Sequence, residues 1–109
     1  MYRYLYAGNF SNISPEAYLG AYHASELPLL FGTLEDFRGP ATETEKATSV
    51  AMQDSWVALA RAGVIGMQEV GWPRYTGGER QVREFGGPLV VHDIGTSQTE
   101  AMCPPMFQP

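Results

Sequence analysis

The residues best suited to chemistry lie in one short stretch, Gly20 to Gly32. This stretch contains His23, one of two histidines in the chain, followed closely by Ser25 and Glu26. A neutral imidazole can take a proton from a serine hydroxyl and later return it to a leaving group, because its pKa is about 6.5. A single histidine in a sequence more often has a surface or hydrogen-bonded structural role, so its surroundings must decide.

Two serines could be considered as nucleophiles. Ser25 is two residues from His23, and residues that close on one short loop rarely meet in hydrogen-bonding geometry. Ser97 lies in Gly95–Thr99, the nearest approach to the Gly-x-Ser-x-Gly turn that carries nucleophilic serines, but Thr99 replaces the second glycine and no helix follows. We interpret both serines as polar loop residues.

His92 precedes Asp93, which suggests a metal ligand or a second catalytic group. The two histidines are 69 residues apart, and no cysteine or carboxylate cluster stands at ligand spacing near either of them. We therefore predict neither a metal site nor a cofactor, and we place His92 at an ordinary strand position.

Length and composition limit the elements that can position these residues. The chain has 109 residues, of which 44% are hydrophobic and 17% charged, as expected for one packed domain at most. The net charge is -5 and the basic residues are scattered, so nucleic acid is a poor candidate partner. No apolar run approaches the roughly 20 residues needed to span a bilayer.

The first third of the chain reads as a strand, a loop and a short helix. Tyrosines alternate with other residues from Tyr2 to Tyr6, a period typical of strands. Ser14-Pro15-Glu16-Ala17 is a helix start with Ser14 able to cap. Pro28 suits the first turn of a short helix that Gly32 can end in a left-handed conformation, so His23 would lie just before a helix.

The remainder predicts a long helix and then short strands. Residues 42–62 are good helix formers, with acidic residues near the start and Arg61 near the end. Helical spacing places four residues on one face, which we predict to be buried: Met52, Trp56, Leu59 and Ala60. Strands are predicted at residues 81–85 and 88–94, separated by Gly86-Gly87. The order of elements predicts a mixed α/β fold.

Two further features concern processing. Asn9-Phe10-Ser11 and Asn12-Ile13-Ser14 are two consecutive glycosylation sequons, which matter only in a secreted protein. Cys103 is the single cysteine and therefore needs a partner outside the chain or remains a free thiol.

Taken together, the motifs resemble those of the type B carboxylesterases, a cholinesterase-like and lipase-containing family. The run from Gly20 to Gly32 is similar to the family's histidine loop. The similarity covers nearly the whole chain through these further segments: Tyr2-Arg3-Tyr4-Leu5-Tyr6, Trp56, Gly71-Trp72-Pro73-Arg74-Tyr75 and Cys103-Pro104.

The resemblance implies an α/β hydrolase fold, of which residues 1–109 would form the C-terminal part of an incomplete domain. His23 would be the triad histidine. Glu26 would contact the histidine without being the triad acid, cap the following helix or make an ordinary hydrogen bond, because the family takes its triad acid from an earlier loop. The nucleophilic serine, that acid and the oxyanion loop would belong to a missing N-terminal part of the same domain. Trp72-Pro73-Arg74-Tyr75 would be structural, seating the tail against the long helix.

The function implied is carboxylic ester hydrolysis through an acyl-enzyme, on a small-molecule or lipid ester, in a secreted glycoprotein. The isolated chain, which supplies only the histidine, would be inactive. The alternative is a noncatalytic esterase-like interaction module or a truncated remnant.

Overall fold

The computed structural model describes residues 1–76 and 80–100. The elements follow in the order β1 (Tyr4–Tyr6), a 3-10 turn (Ala17–Leu19), α1 (Leu27–Leu30), α2 (Glu43–Glu69), β2 (Gln81–Phe85), β3 (Val91–Gly95) and a second 3-10 turn (Thr96–Gln98). The predicted order of strand, histidine-bearing loop, short helix, long helix and short strands is confirmed.

The three described strands form one mixed sheet in the order β1-β2-β3. β1 runs parallel to β2, with Tyr4 opposite Arg83, and β2 pairs antiparallel with β3. A parallel pair needs a long crossover, and here the connection includes both the histidine-bearing loop and α2. The sheet and helices make a small α/β unit. The loop that bears the histidine begins where β1 ends.

Local signals mark several of the observed boundaries. Gly86 has a φ of 76° and donates its N–H to Val90 O, which closes the β2–β3 turn. Gly32 has a φ of 70° just after α1, as predicted. The predicted strand at 88–94 begins only at Val91. The capping role expected of Ser14 is wrong, because its hydroxyl instead donates to Gly20 O.

The long helix begins as the sequence predicts and extends further. Thr42 is the N-cap, and its Oγ1 accepts from the Glu45 N–H at 3.1 Å. Gly63, with a φ of 56° and a ψ of -131°, breaks the helix where we predicted its end, and helical structure resumes to Glu69. The continuation was missed because a glycine in left-handed geometry usually ends a helix.

The predicted buried face of α2 is wrong for two of its four residues. Met52 is buried and Trp56 partly buried, but Leu59 is 48% exposed and Ala60 is also exposed. The helix instead buries a face of mostly small and polar residues: Glu45, Thr48, Ser49, Met52 and Ser55. Short hydroxyl side chains allow α2 to approach backbone closely, and Ser49 Oγ donates to Leu29 O of α1. Apolar periodicity alone misses such a face.

The core is formed by residues of the loop after β1, of α1, α2 and β2, and of the segment that follows α2. Its central buried residues are Ile13, Leu29, Met52, Met67, Trp72 and Phe85. The structural role expected of Trp72 is confirmed, because its ring packs 5.6 Å from that of Trp56 on α2 and its Nε1 donates to Arg3 O.

Candidate active site

The segment between β1 and α1, residues 7–26, is the histidine loop. Side chains within it bond to the backbone rather than to one another. Ser14 Oγ donates to Gly20 O at 2.7 Å, and the Tyr22 hydroxyl donates to Ile13 O at 3.0 Å. Apart from the 3-10 turn at Ala17–Leu19, the loop has no regular structure and must satisfy its backbone carbonyls in other ways, and these bonds give it a defined shape.

The backbone around His23 forms a tight turn. Ser25 N–H donates to Tyr22 O at 3.0 Å, and Leu27 N–H donates to Ala24 O at 3.2 Å. Ala24 has a φ of 67°, the single positive value at a non-glycine position in the part of the chain that the structure describes. An alanine held in left-handed geometry costs free energy, and such residues concentrate at functional sites.

The structure presents His23 to solvent but does not assemble a triad around it. Its side chain is exposed at the turn. No ion pair or hydrogen bond between described residues joins it to Ser25 or Glu26. Ser25 is 2% exposed and its Oγ has no hydrogen-bond partner within residues 1–76 and 80–100. Its environment is therefore that of a buried group rather than an accessible nucleophile.

Glu26 occupies the N-cap position of α1 but makes no capping bond with its side chain. Its negative charge contributes to the raised pKa of two tyrosines of β1. Burial is the main cause of the raised pKa of Tyr4, and Glu26 adds to it. Burial likewise raises the pKa of Tyr6 strongly, with smaller contributions from Glu45, Glu26 and Tyr22.

Glu45 is the residue near this site that sequence reasoning missed. It is 1% exposed, in the first turn of α2, and neither carboxylate oxygen has a hydrogen bond of normal geometry to the described residues. Burial is the largest cause of its raised pKa; the Asn12 side chain and the Thr42 N–H oppose the shift, and Glu35 adds to it. The pattern Thr42-x-x-Glu45 signals a capping box, but nothing in it signals burial.

The second histidine lies at a strand position, as predicted. His92 is on β3, and its Nε2 is 2.8 Å from Glu84 Oε1 on β2. Across residues 1–76 and 80–100, no three side chains of the histidine, cysteine, aspartate or glutamate type are grouped as metal ligands would be. In the same ranges, no helix has both the length and the apolar character required to cross a membrane.

Four other residues were singled out in the sequence. Ser97 is exposed in the second 3-10 turn. Asn9 is exposed, whereas Asn12 is 6% exposed and its Nδ2 donates to Leu34 O at 2.8 Å. Cys103 lies outside the described residues.

Comparison with known proteins gives three relatives that are named as lipases or esterases. The chain is 53% identical over 73 residues to secreted lipase 5 of Gibberella zeae, an alignment covering 67% of this chain and 14% of the lipase. It is 35% identical over 118 aligned positions to chlorogenic acid esterase of Aspergillus niger, covering 94% of this chain and 23% of the esterase. The chain is related to the type B carboxylesterases and lipases.

A para-nitrobenzyl esterase of Bacillus subtilis is a third relative, 36% identical over 62 residues, which are 53% of this chain and 13% of that enzyme. No protein-family model matches the chain. The chain spans less than a quarter of the length of each of these three carboxylesterase relatives.

Proposed function

We propose that this chain forms the histidine-bearing part of a carboxylic ester hydrolase, with His23 as the general base and then the general acid of a Ser-His-acid triad. The triad would act through an acyl-enzyme. The nucleophilic serine, the acid and the oxyanion donors are contributed by a further part of the same hydrolase domain, which is the partner of this chain. The chain on its own is inactive.

The observation that carries this proposal is the exposure of His23 on a hydrogen-bonded turn in a chain related to esterases and lipases. A general base must reach its substrate group, so an imidazole that is accessible yet has a fixed backbone is suitable. A triad also needs a carboxylate that orients the imidazole ring, and Glu26 makes no bond to the His23 ring. We assign Glu26 a supporting role at the start of α1.

The substrate is a small-molecule or lipid ester, and the protein acts outside the cell. The relatives' names support these points, since one is a secreted lipase and two are esterases. In a secreted protein Asn9 would be the glycan acceptor, because its side chain is exposed while that of Asn12 is buried.

The test is a hybrid enzyme in which this chain replaces the aligned segment of the Aspergillus niger esterase, chosen because 94% of this chain aligns. Hydrolysis of a p-nitrophenyl ester is compared for the hybrid and its His23→Ala and His92→Ala variants. These are the two histidines of the chain, so the second is a matched control. We expect His23→Ala to lower kcat by about 1,000-fold or more, and His92→Ala to change it by less than about fivefold.

An active hybrid that keeps full activity after His23→Ala would refute the proposed role. An inactive hybrid that is nonetheless folded would favour the alternative of a noncatalytic interaction module. The isolated chain should hydrolyse the same ester no faster than buffer does.

A further inference from the structure

The turn that carries His23 is shaped by its own backbone bonds. The Ser25 N–H donates to Tyr22 O and the Leu27 N–H donates to Ala24 O, so each bond joins residues only three positions apart. Ala24 has a φ of 67°, and a non-glycine residue keeps such geometry only where the surrounding structure enforces it. Bonds of such short range do not fix the turn relative to the rest of the molecule, so a contact of longer range is required.

The side chain of Tyr22 makes a contact of that kind. Its hydroxyl donates to Ile13 O at 3.0 Å, across nine positions of the chain. A second bond runs between the same two segments in the opposite direction, because Ser14 Oγ donates to Gly20 O at 2.7 Å. The two bonds therefore hold the residues just before His23 against those around Ile13.

The segment around Ile13 is a firm point of attachment. Ile13 is 3% exposed and belongs to the central core. Its N–H and that of Ser14 both donate to Phe10 O, at 3.0 and 2.7 Å. Arg38 Nη1 donates, at 3.2 Å, to the same carbonyl of Ile13 that accepts from Tyr22. The Tyr22 hydroxyl thus links the histidine-bearing turn to a part of the loop that is buried and bonded on several sides.

Burial alone does not account for the bond that Tyr22 makes. The residue is 40% exposed, and a phenol at the surface can be satisfied by water. Tyr18, on the same loop, is 84% exposed. The bond from Tyr22 to the backbone is therefore a specific contact, and the residue that makes it stands directly before His23.

We propose that Tyr22 is a positioning residue for His23, whose hydroxyl holds the histidine-bearing turn to the buried segment around Ile13. The inference rests on the proposed catalytic role of His23. A catalytic base must lie in the correct place relative to the reacting atoms, and a small displacement lowers the rate strongly. A group that fixes the turn therefore affects kcat without touching the substrate.

The test variant is Tyr22→Phe, which keeps the ring and removes only the hydroxyl. Ile13 O retains Arg38 as a donor in this variant, so no buried carbonyl is left unpaired and the core should be unaffected. The matched control is Tyr18→Phe, which removes an exposed hydroxyl from the same loop.

The first measurement is amide exchange by NMR in the full chain. The amides of Ser25 and Leu27 report on the histidine-bearing turn, and the amide of Trp72, bonded to Met67 O, reports on the core. We expect Tyr22→Phe to accelerate exchange of the two turn amides by about fivefold, as the loss of one hydrogen bond implies, while exchange at Trp72 is unchanged. Tyr18→Phe should alter none of the three.

Equal exchange at Ser25 and Leu27 in the two variants would overturn the inference. Acceleration at Trp72 as large as at the turn would also overturn it, because the hydroxyl would then stabilise the whole fold rather than the position of the turn.

The second measurement is kinetics in the hybrid enzyme. We expect Tyr22→Phe to lower kcat by about fivefold or more with KM changed by less than about twofold, and Tyr18→Phe to change neither. An unchanged kcat in Tyr22→Phe, in an active parent hybrid, refutes the positioning role and leaves the role of His23 intact. A folded but inactive parent hybrid counts against the proposed function instead, and the exchange measurement then decides whether Tyr22 holds the turn.

Discussion

Two regions of the molecule are built on different principles. In the first, which we call the aromatic end, Tyr4, Trp56, Trp72 and Phe85 pack with ring centroids 4.9–6.4 Å apart. The second, which we call the histidine end, consists of the loop of residues 7–26 and the first turns of α2. There Glu45 and Ser25 are buried without hydrogen-bond partners among the described residues.

The difference separates residues that stabilise from residues that cost free energy. Large rings in contact gain both burial and favourable edge-to-face geometry. Buried polar groups without partners oppose folding, and they persist where function requires them. We therefore expect substitutions at the aromatic end to act on stability and those at the histidine end to act on local order or catalysis.

The largest loss of stability should follow Trp72→Ala. Trp72 is 6% exposed, packs against Phe85 at 5.5 Å and donates to Arg3 O. Truncating a buried aromatic residue costs about 3–5 kcal/mol, much of the total stability of a small domain. Urea unfolding followed by circular dichroism measures this, with the exposed Phe37→Ala as the control. A loss below about 1 kcal/mol would contradict the assignment of the aromatic end as the core.

A smaller loss should follow Arg83→Leu, which tests how the sheet is joined to the end of α2. Arg83 bonds to Asp93 on β3 at 2.9 Å, donates to Val70 O and lies 5.9 Å over the Trp72 ring. Bonds to a charged group contribute about 1.5–3 kcal/mol each before solvent screening, so we expect a net loss of about 2 kcal/mol.

The control is Arg61→Leu, at an exposed position on α2, and the measurement is again urea unfolding. Equal losses of stability in the two variants would show that the bonds of Arg83 do not stabilise the fold. A loss of stability in Arg83→Leu alone would show that the stabilising contacts include β2 as well as the aromatic rings.

The two glycosylation sequons test the packing of the loop at the histidine end, because one asparagine is exposed and the other is buried. We expect a glycan on Asn9 and none on Asn12 when the chain is secreted from a eukaryotic cell, because the Asn12 side chain is buried and that of Asn9 is exposed. Both amides donate to a backbone carbonyl, that of Asn9 to Ala17 O and that of Asn12 to Leu34 O. Asn9→Gln should remove the glycan mass. Asn12→Gln should leave that mass intact and lower stability by about 1 kcal/mol through loss of the bond. A glycan found on Asn12 would show that the loop packs differently.

Much of the fold could be predicted because its signals are local. The alternation of tyrosines up to Tyr6 and the Gly86-Gly87 turn indicate strands, and the structure confirms β2 at Gln81–Phe85, whereas β1 and β3 begin later than predicted. The N-cap at Thr42 and the break at Gly63 are also encoded within a few residues. The pairing of β1 with β2 is not, because it joins segments separated by the whole of α2.

The buried face of α2 and the environment of Glu45 could not be predicted for a related reason. Apolar periodicity indicates which residues avoid water, and it favoured Leu59, which the structure exposes. Thr48 and Ser49 are buried because small hydroxyl side chains pack against the backbone of neighbouring elements, which no local pattern encodes. His23 could be selected as a candidate from its loop, but the surroundings that would hold it depend on tertiary packing.

The smallest expected change in the free energy of unfolding is a gain rather than a loss. It concerns Glu45, and it tests directly whether residues of the histidine end cost stability. Because burial raises the pKa of Glu45, its neutral form is favoured in the folded chain. A raised folded pKa contributes stability that is present below the unfolded pKa of about 4.3 and is lost as the pH rises through the folded value. Glu45→Gln, which cannot ionise, should match the parent near pH 4 and be more stable near pH 7, by at most about 1 kcal/mol.

Urea unfolding at the two pH values measures this difference, with Glu43→Gln as the control at an exposed position in the same helical turn. A gain at neutral pH for Glu45→Gln alone would show that the natural carboxyl group costs stability where it stands. Residues retained at such a cost are those expected at functional sites. A loss at both pH values would instead mean that the ionised carboxylate has a stabilising partner, and Glu45 would then belong with the stabilising residues of the aromatic end.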